Sequence, residues 1–315
     1  MDNASTGEGM SRRQLLGAAA AAAALGQVGA EMARAAEGTV VTKGRIKQSI
    51  VFWCFNIAGQ MWDIERTCQV AKELGCVSVE IVEPKYFDVL KKYGLVCAIA
   101  PNGMPGAPFV KGFNNPKYHD EVIARTKEVI DACAAYNFPN VIAFTGFKWR
   151  DAEDPKSGEI SREEGAENCV AGLKKIAGYA EQKGVTICVE HLNTRDDSHP
   201  MKGHPGYQGD DVDYLAGIVR RVGSPRVKLL FDIYHVQIMN GDVMRRLDQL
   251  KDVIGHIHTA GNPGRGELDD TQEINYPPIM RKLIEIGYNG YVGQEFIPTR
   301  DPLAGLREAV KLCDV

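Results

Sequence analysis

The sequence predicts an α/β protein built as a single (β/α)8 TIM barrel, in which parallel strands close on themselves inside a ring of helices. Three observations predict it. Strand-like and helical patterns alternate without a linker from Lys47 to the end of the 315-residue chain, giving eight strands each followed by a helical stretch. No G-x-G-x-x-G joins the first strand to the first helix, so an open dinucleotide-binding sheet, the runner-up, lacks its fingerprint. The composition, 44% hydrophobic and 25% charged, supports one large core and excludes a disordered or collagen-like chain.

In chain order, the first segment stands apart from the barrel. Arg12-Arg13 precede seven consecutive alanines, Ala18 to Ala24, and no charge lies between Arg13 and Glu31. A basic start, a short weakly apolar stretch and a small-x-small exit at Ala33-Arg34-Ala35 are the parts of a cleavable export signal of the twin-arginine type. The expectation is an export signal over residues 1–35, a barrel over residues 36–315 and a periplasmic location, which cell fractionation checks. The uncharged run is poor in Leu, Ile and Phe, so no stable membrane insertion is expected.

The barrel pattern then begins. Strands are expected at Ser49–Phe55, Val77–Val82, Leu95–Ala100, Val141–Thr145, Val185–His191, Val227–Ile233, Ile254–Ala260 and Tyr291–Phe296. Helices are expected at Met61–Leu74, Tyr86–Lys92, Pro116–Tyr136, Arg162–Gln182, Asp211–Val222, Asp242–Leu250, Tyr276–Glu285 and Ala304–Leu312. Leu74-Gly75, Lys183-Gly184 and Ile286-Gly287 supply glycine where a helix ends before the next strand. The eight cysteines form no CxxC pair and are scattered through predicted elements, the habit of buried thiols rather than a disulfide framework.

In a barrel, catalytic groups sit at the C-terminal ends of strands. The last four strands each carry a polar residue there: Glu190, Asp232, His258 and Glu295. With a period of two, these share faces with Cys188, Leu230, His256 and Gly293, so all four converge on the axis if those faces point inward. Three carboxylates crowded at one axis repel unless a cation holds them. Three acids and one imidazole suit a divalent ion, Mg²⁺ or Mn²⁺ first, then Co²⁺ or Zn²⁺. His235 and Arg265 fall at the same end, where either can grip substrate oxygens. The formal charge of −4 argues for a small-molecule partner and against nucleic acid.

The segments Phe231-Asp232-Ile233-Tyr234-His235, His256 to Arg265, Glu273-Ile274-Asn275-Tyr276 and Gly290 to Phe296 resemble the xylose isomerase-like sugar isomerases and epimerases, and within them the hydroxypyruvate isomerases. The resemblance implies that Glu190 and Glu295 both ligate the metal and move the proton, that Asp232 is a further ligand, and that His235, Arg265 and Asp196 contact substrate. It implies interconversion of hydroxypyruvate and tartronate semialdehyde through a cis-enediolate. At His258, bacterial hydroxypyruvate isomerases often carry Gln and the related ketose 3-epimerases carry His. That leaves a ketose 3-epimerase as the alternative, with an exported sugar-binding barrel without chemistry as a second. A barrel endonuclease needs more metal-binding histidines and a basic face than seven histidines and this charge provide. Self-association, and therefore a homo-oligomer, is left open.

Overall fold

Seven of the eight expected strands form one parallel sheet in the computed structural model, which describes residues 39–57 and 59–315. The segment assigned above to an export signal lies outside the described residues. The strands are β1 (Lys47–Val51), β2 (Ser78–Glu80), β3 (Asn140–Phe144), β6 (Thr186–Glu190), β7 (Val227–Asp232), β8 (Ile254–Thr259) and β9 (Tyr291–Gln294), in the spatial order β2-β1-β9-β8-β7-β6-β3. All neighbours in this sheet are parallel.

The eighth stave closes the ring without becoming a regular strand. Residues 96–100 bridge β2 through Val79 N–H to Val96 O and Ile81 N–H to Ile99 O, and bridge β3 through Ala100 N–H to Asn140 O and Ile142 N–H to Ala100 O. Midway, side chains replace the ladder: Ala98 N–H donates to Ser78 Oγ and Asn140 Nδ2 donates to Ala98 O. The backbone groups are satisfied, as burial demands, by partners no hydrophobic pattern reveals.

Helices α1 (Ile64–Leu74), α2 (Phe87–Lys92), α3 (His119–Tyr136), α4 (Arg162–Lys183) and α5 (Val212–Val222) surround the first half. They are followed by α6 (Ile233–Met239), α7 (Val243–Leu250), α8 (Tyr276–Glu285) and α9 (Pro302–Cys313). The ends follow the local chemistry. Asp63, Ser161, Asp211 and Asp301 each accept a backbone N–H at a helix start, and Gly75 and Gly184 adopt the left-handed conformation at helix ends.

Two elements depart from the expected order. An antiparallel hairpin, β4 (Trp149–Asp151) and β5 (Asp154–Glu159), sits in the loop after β3, and its mostly exposed polar residues carry no hydrophobic alternation. Helix α6 begins directly at Asp232, whose Oδ1 accepts from Tyr234 N–H at 2.8 Å. All eight cysteines are buried and free, as expected. Among the described residues, no helix is long and apolar enough to cross a membrane.

Residues 40–315 form one compact unit. Its main apolar cluster fills the space between sheet and helices, while Ile99, Ile142, Cys188 and Leu230 belong to a smaller cluster together with Phe109, Phe144, Leu192 and Tyr207. Buried titratable side chains gather instead at Glu80 of β2, Glu190 of β6, Asp232 of β7, His256 and His258 of β8 and Glu295 after β9. That is where the site lies.

Candidate metal centre and active site

Register brings the expected residues together. Asp232 pairs with His258 across β7 and β8, and His258 pairs with Gly293 across β8 and β9. Glu295 follows β9 directly, its N–H bonded to Thr259 O. One side-chain ligand atom each from Glu190, Asp232, His258 and Glu295 lies within 4.8 Å of the other three. All four residues are buried. His258 Nδ1 stands 2.7 Å from Glu295 Oε2 and 3.7 Å from Glu190 Oε1.

Cations of the protein balance these acids. Arg265 Nη2 lies 2.6 Å from Glu295 Oε2 and 3.3 Å from Asp232 Oδ2, and Nη1 donates to Met201 O at 2.6 Å. Arg265 sits in the loop after β8 with φ of +54°, a conformation held by Ile297 N–H to Arg265 O. Its guanidinium lies between the rings of Trp53 and Tyr234, with distances of 5.3 and 5.6 Å to their centroids. Trp53 Nε1–H also donates to Glu295 Oε1 at 3.0 Å.

Behind the centre is a second layer. His256 Nε2 and His258 Nε2 each lie 2.9 Å from the same oxygen of Glu80, and all three side chains are fully buried. Glu80 accepts from both rings, so His258 carries hydrogen on Nε2 and turns Nδ1 toward the acids. A Cβ at position 293 would lie 2.0 Å from Glu80 Oε1, so only glycine leaves room for this carboxylate. His235 is oriented by the same logic. Asn193 N–H donates to His235 Nδ1 at 3.1 Å, leaving Nε2 as the hydrogen-bearing atom, 3.5 Å from Asp232 Oδ2.

These surroundings separate the acids. Burial, joined by the charge of Glu295, pushes Glu190 up to about 7. Burial also raises Asp232, to about 6, although Arg265 opposes it. For Glu295 burial is outweighed by Arg265 and then His258, which hold it well below the usual carboxylate range. Glu80 is drawn down to about 2 by its two histidines against burial. His258 rises well above an ordinary histidine, because Glu295 and the neighbouring carboxylates overcome burial.

A divalent ion fits this donor set. Three carboxylates and an imidazole nitrogen are hard to borderline ligands, and Glu190 Oε1 is a buried atom with no hydrogen-bond partner. Loading it requires protons to leave Glu190, Asp232 and His258 Nδ1. Because the folded-state values of Glu190 and Asp232 lie above ordinary ones, the stability they contribute is present in acid and is lost as pH rises through about 6 to 7. The thermal stabilisation produced by a fixed excess of Mn²⁺ is therefore expected to grow from pH 5 to pH 8. Thermal melts across that range check it, and a flat response would contradict this ionisation scheme.

A cleft of about 950 Å³ opens above the centre, and Glu190, Glu295, Arg265 and Trp53 line it. Asp232, His258 and His235 are fully buried and do not line it. Asp196 is not brought to this cleft. Its carboxylate accepts from Ser198 N–H and Oγ–H and from the Tyr234 hydroxyl, closing its own loop. Glu80, His256, Trp53 and His204 complete the surroundings and were not singled out in the sequence. Two of them carry a signal: Glu80 is an acid late in the apolar run Val79-Glu80-Ile81-Val82, and His256 shares the strand face of His258.

The family model of the xylose isomerase-like TIM barrel matches residues 68–314. A 2-oxo-tetronate isomerase of Cupriavidus necator is 39% identical over 134 residues, 42% of this chain and 48% of that protein. Hydroxypyruvate isomerase of Escherichia coli is 33% identical over 138 residues, 44% of this chain and 50% of that protein. The chain thus spans about half the length of the curated relatives it matches. A crystal structure titled AP endonuclease, family 2, from Brucella melitensis superposes with a TM-score of 0.67 at 23% identity, over 83% of this chain and 97% of that one. D-psicose 3-epimerase with D-tagatose from Clostridium cellulolyticum H10 superposes with a TM-score of 0.63 at 18% identity, over 85% and 90%. At these identities the two structures show the shared fold. The chain belongs to the xylose isomerase-like TIM-barrel family.

Proposed function

We propose that this member of the xylose isomerase-like family is a divalent-metal-dependent isomerase that moves a proton between adjacent carbons of an α-hydroxy carbonyl compound. Hydroxypyruvate and tartronate semialdehyde are the substrate pair. The reading rests on one observation above all: two buried glutamates, Glu190 and Glu295, line one cleft, 3.7 and 2.7 Å from His258 Nδ1, in opposite electrostatic surroundings.

Glu190, Asp232, His258 and Glu295 would hold the metal, which when bound polarises the carbonyl and hydroxyl oxygens of the substrate and so acidifies the intervening C–H. Pairs of titratable groups pushed apart by their environments divide acid from base. Glu295, kept ionised by Arg265, takes the proton from the hydroxymethyl carbon. Glu190, ionised while it helps to hold the metal, takes the proton of the substrate hydroxyl as the enediolate forms and gives it to the former carbonyl carbon. Arg265 stabilises the negative charge that develops on the enediolate between these steps. Glu295 then gives its proton to the former carbonyl oxygen, so both glutamates return to the ionised form and the substrate has neither gained nor lost atoms.

Turnover of hydroxypyruvate in D2O by Mn²⁺-loaded protein is expected to place solvent deuterium on the carbon that receives the proton. Nuclear magnetic resonance of the product reads this directly, and complete retention of the substrate hydrogen would rule out the two-glutamate scheme. A ketose 3-epimerase uses the same groups, and the volume of the cleft favours that second reading. Conversion of fructose or tagatose to their C3 epimers, with no turnover of hydroxypyruvate, would establish it instead.

A further inference from the structure

His204 lies on the loop between β6 and α5 and lines the same cleft as Glu190, Glu295 and Arg265. It is 4% exposed, and neither of its ring nitrogens has a hydrogen-bond partner. A buried polar ring without partners is costly, and native interiors rarely keep one without a use. The ring is held in place. Its edge packs on Phe109 with centroids 4.3 Å apart, its backbone N–H donates to Asn193 O, and its carbonyl accepts from Tyr207 N–H. Burial, and then the charge of Arg265, pull its pKa down to about 3, so it presents one donor and one acceptor and no charge.

The rest of the cleft states what such a group meets. Its volume, about 950 Å³, is at the upper end of the roughly 300–1,000 Å³ that accommodates drug-sized ligands, and a three-carbon acid fills little of it. Among its described lining residues Arg265 is the one Lys or Arg, and it is already shared by Glu295, Asp232 and Met201 O. Glu83 and Glu128 add negative charge at the wall. An anionic tail would find no cation there, whereas hydroxyls would find His204, and the C–H faces between them would find Phe109, Phe144 and Leu192.

We propose that His204 is a substrate-contacting residue that hydrogen-bonds a hydroxyl beyond the two reacting carbons, so that the cleft takes α-hydroxy carbonyl compounds bearing an uncharged, polyhydroxylated tail. This rests on the isomerase reading above and extends it. Hydroxypyruvate, whose carboxylate follows the reacting carbons directly, has no such tail and does not reach His204.

The test is calorimetric titration of the Mn²⁺-loaded full chain with D-fructose and with hydroxypyruvate, in the wild type, His204→Phe and His204→Gln. Fructose binding is expected to weaken at least tenfold in His204→Phe, to recover in part in His204→Gln, and hydroxypyruvate binding is expected to stay within twofold throughout. The ligand-free His204→Phe protein is expected to melt no lower than wild type, because an unpaired polar ring has been replaced by an apolar one of similar shape. If that variant fails to fold, His204→Gln against wild type carries the comparison. Absence of fructose binding to wild type, an unchanged fructose affinity in His204→Phe, or an equal loss for both ligands would overturn the proposal. Binding of fructose that depends on His204, with no deuterium exchange on any ligand, would leave this inference standing and sink the isomerase reading. Turnover of hydroxypyruvate with no fructose binding would do the reverse.

Discussion

Glu295→Gln is expected to lower kcat by roughly 10²- to 10⁴-fold, the range over which a positioned acid or base acts. The substitution keeps the shape of the side chain and the acceptor for Trp53 Nε1–H, so the barrel still folds. It removes the charge that faces Arg265 and His258. Metal affinity therefore falls as well, but binding remains, because Glu190, Asp232 and His258 still converge. Circular dichroism, Mn²⁺ titration and hydroxypyruvate turnover together separate these effects. Near-wild-type turnover in a folded, metal-loaded variant would end the assignment of Glu295 as base.

The second large effect belongs to a residue that touches no substrate. Glu80→Leu takes away the common acceptor of His256 Nε2 and His258 Nε2, leaving two buried N–H groups unpaired at about 1–3 kcal/mol each. It also frees the ring that presents Nδ1 to the acids, and loss of such an orienting partner typically weakens metal binding about 10- to 100-fold. Both a lower melting temperature and a weaker Mn²⁺ affinity are expected. Glu80→Gln keeps one acceptor oxygen and should recover much of the folding stability but less of the metal affinity. Unchanged Mn²⁺ binding in Glu80→Leu would show that the layer behind His258 is packing alone.

The part of the centre that could be read in advance shares one property, its position along a strand. Glu190, Asp232, His258 and Glu295 end four successive strands on faces fixed by the alternation of side chains, and parallel pairing then makes them neighbours. Glu80 obeys the same rule on β2, but its strand is three residues long and isolated from the other four in sequence. Trp53 lies in a short 3-10 turn after β1 and His204 far along the loop between β6 and α5, where no strand period constrains direction. Asp196 shows the same limit from the other side. The family resemblance implies a substrate contact there, whereas its carboxylate is taken by Ser198 and Tyr234 within the loop.

The sequence alone determined the alternation of strand and helix, hence the closed parallel barrel, and the identity of the four side chains that converge at its mouth. Periodicity is local, and hydrophobic burial enforces it, so these features survive being read one residue at a time. Only the tertiary structure decided how the ring closes at residues 96–100, which glutamate is stripped of its proton by Arg265, which histidine tautomer faces the acids, and which imidazole is left unpaired in the cleft. Each of those outcomes depends on a hydrogen bond or charge contributed by a residue distant in sequence. Such partners leave no period in the chain and exist only once the barrel has closed.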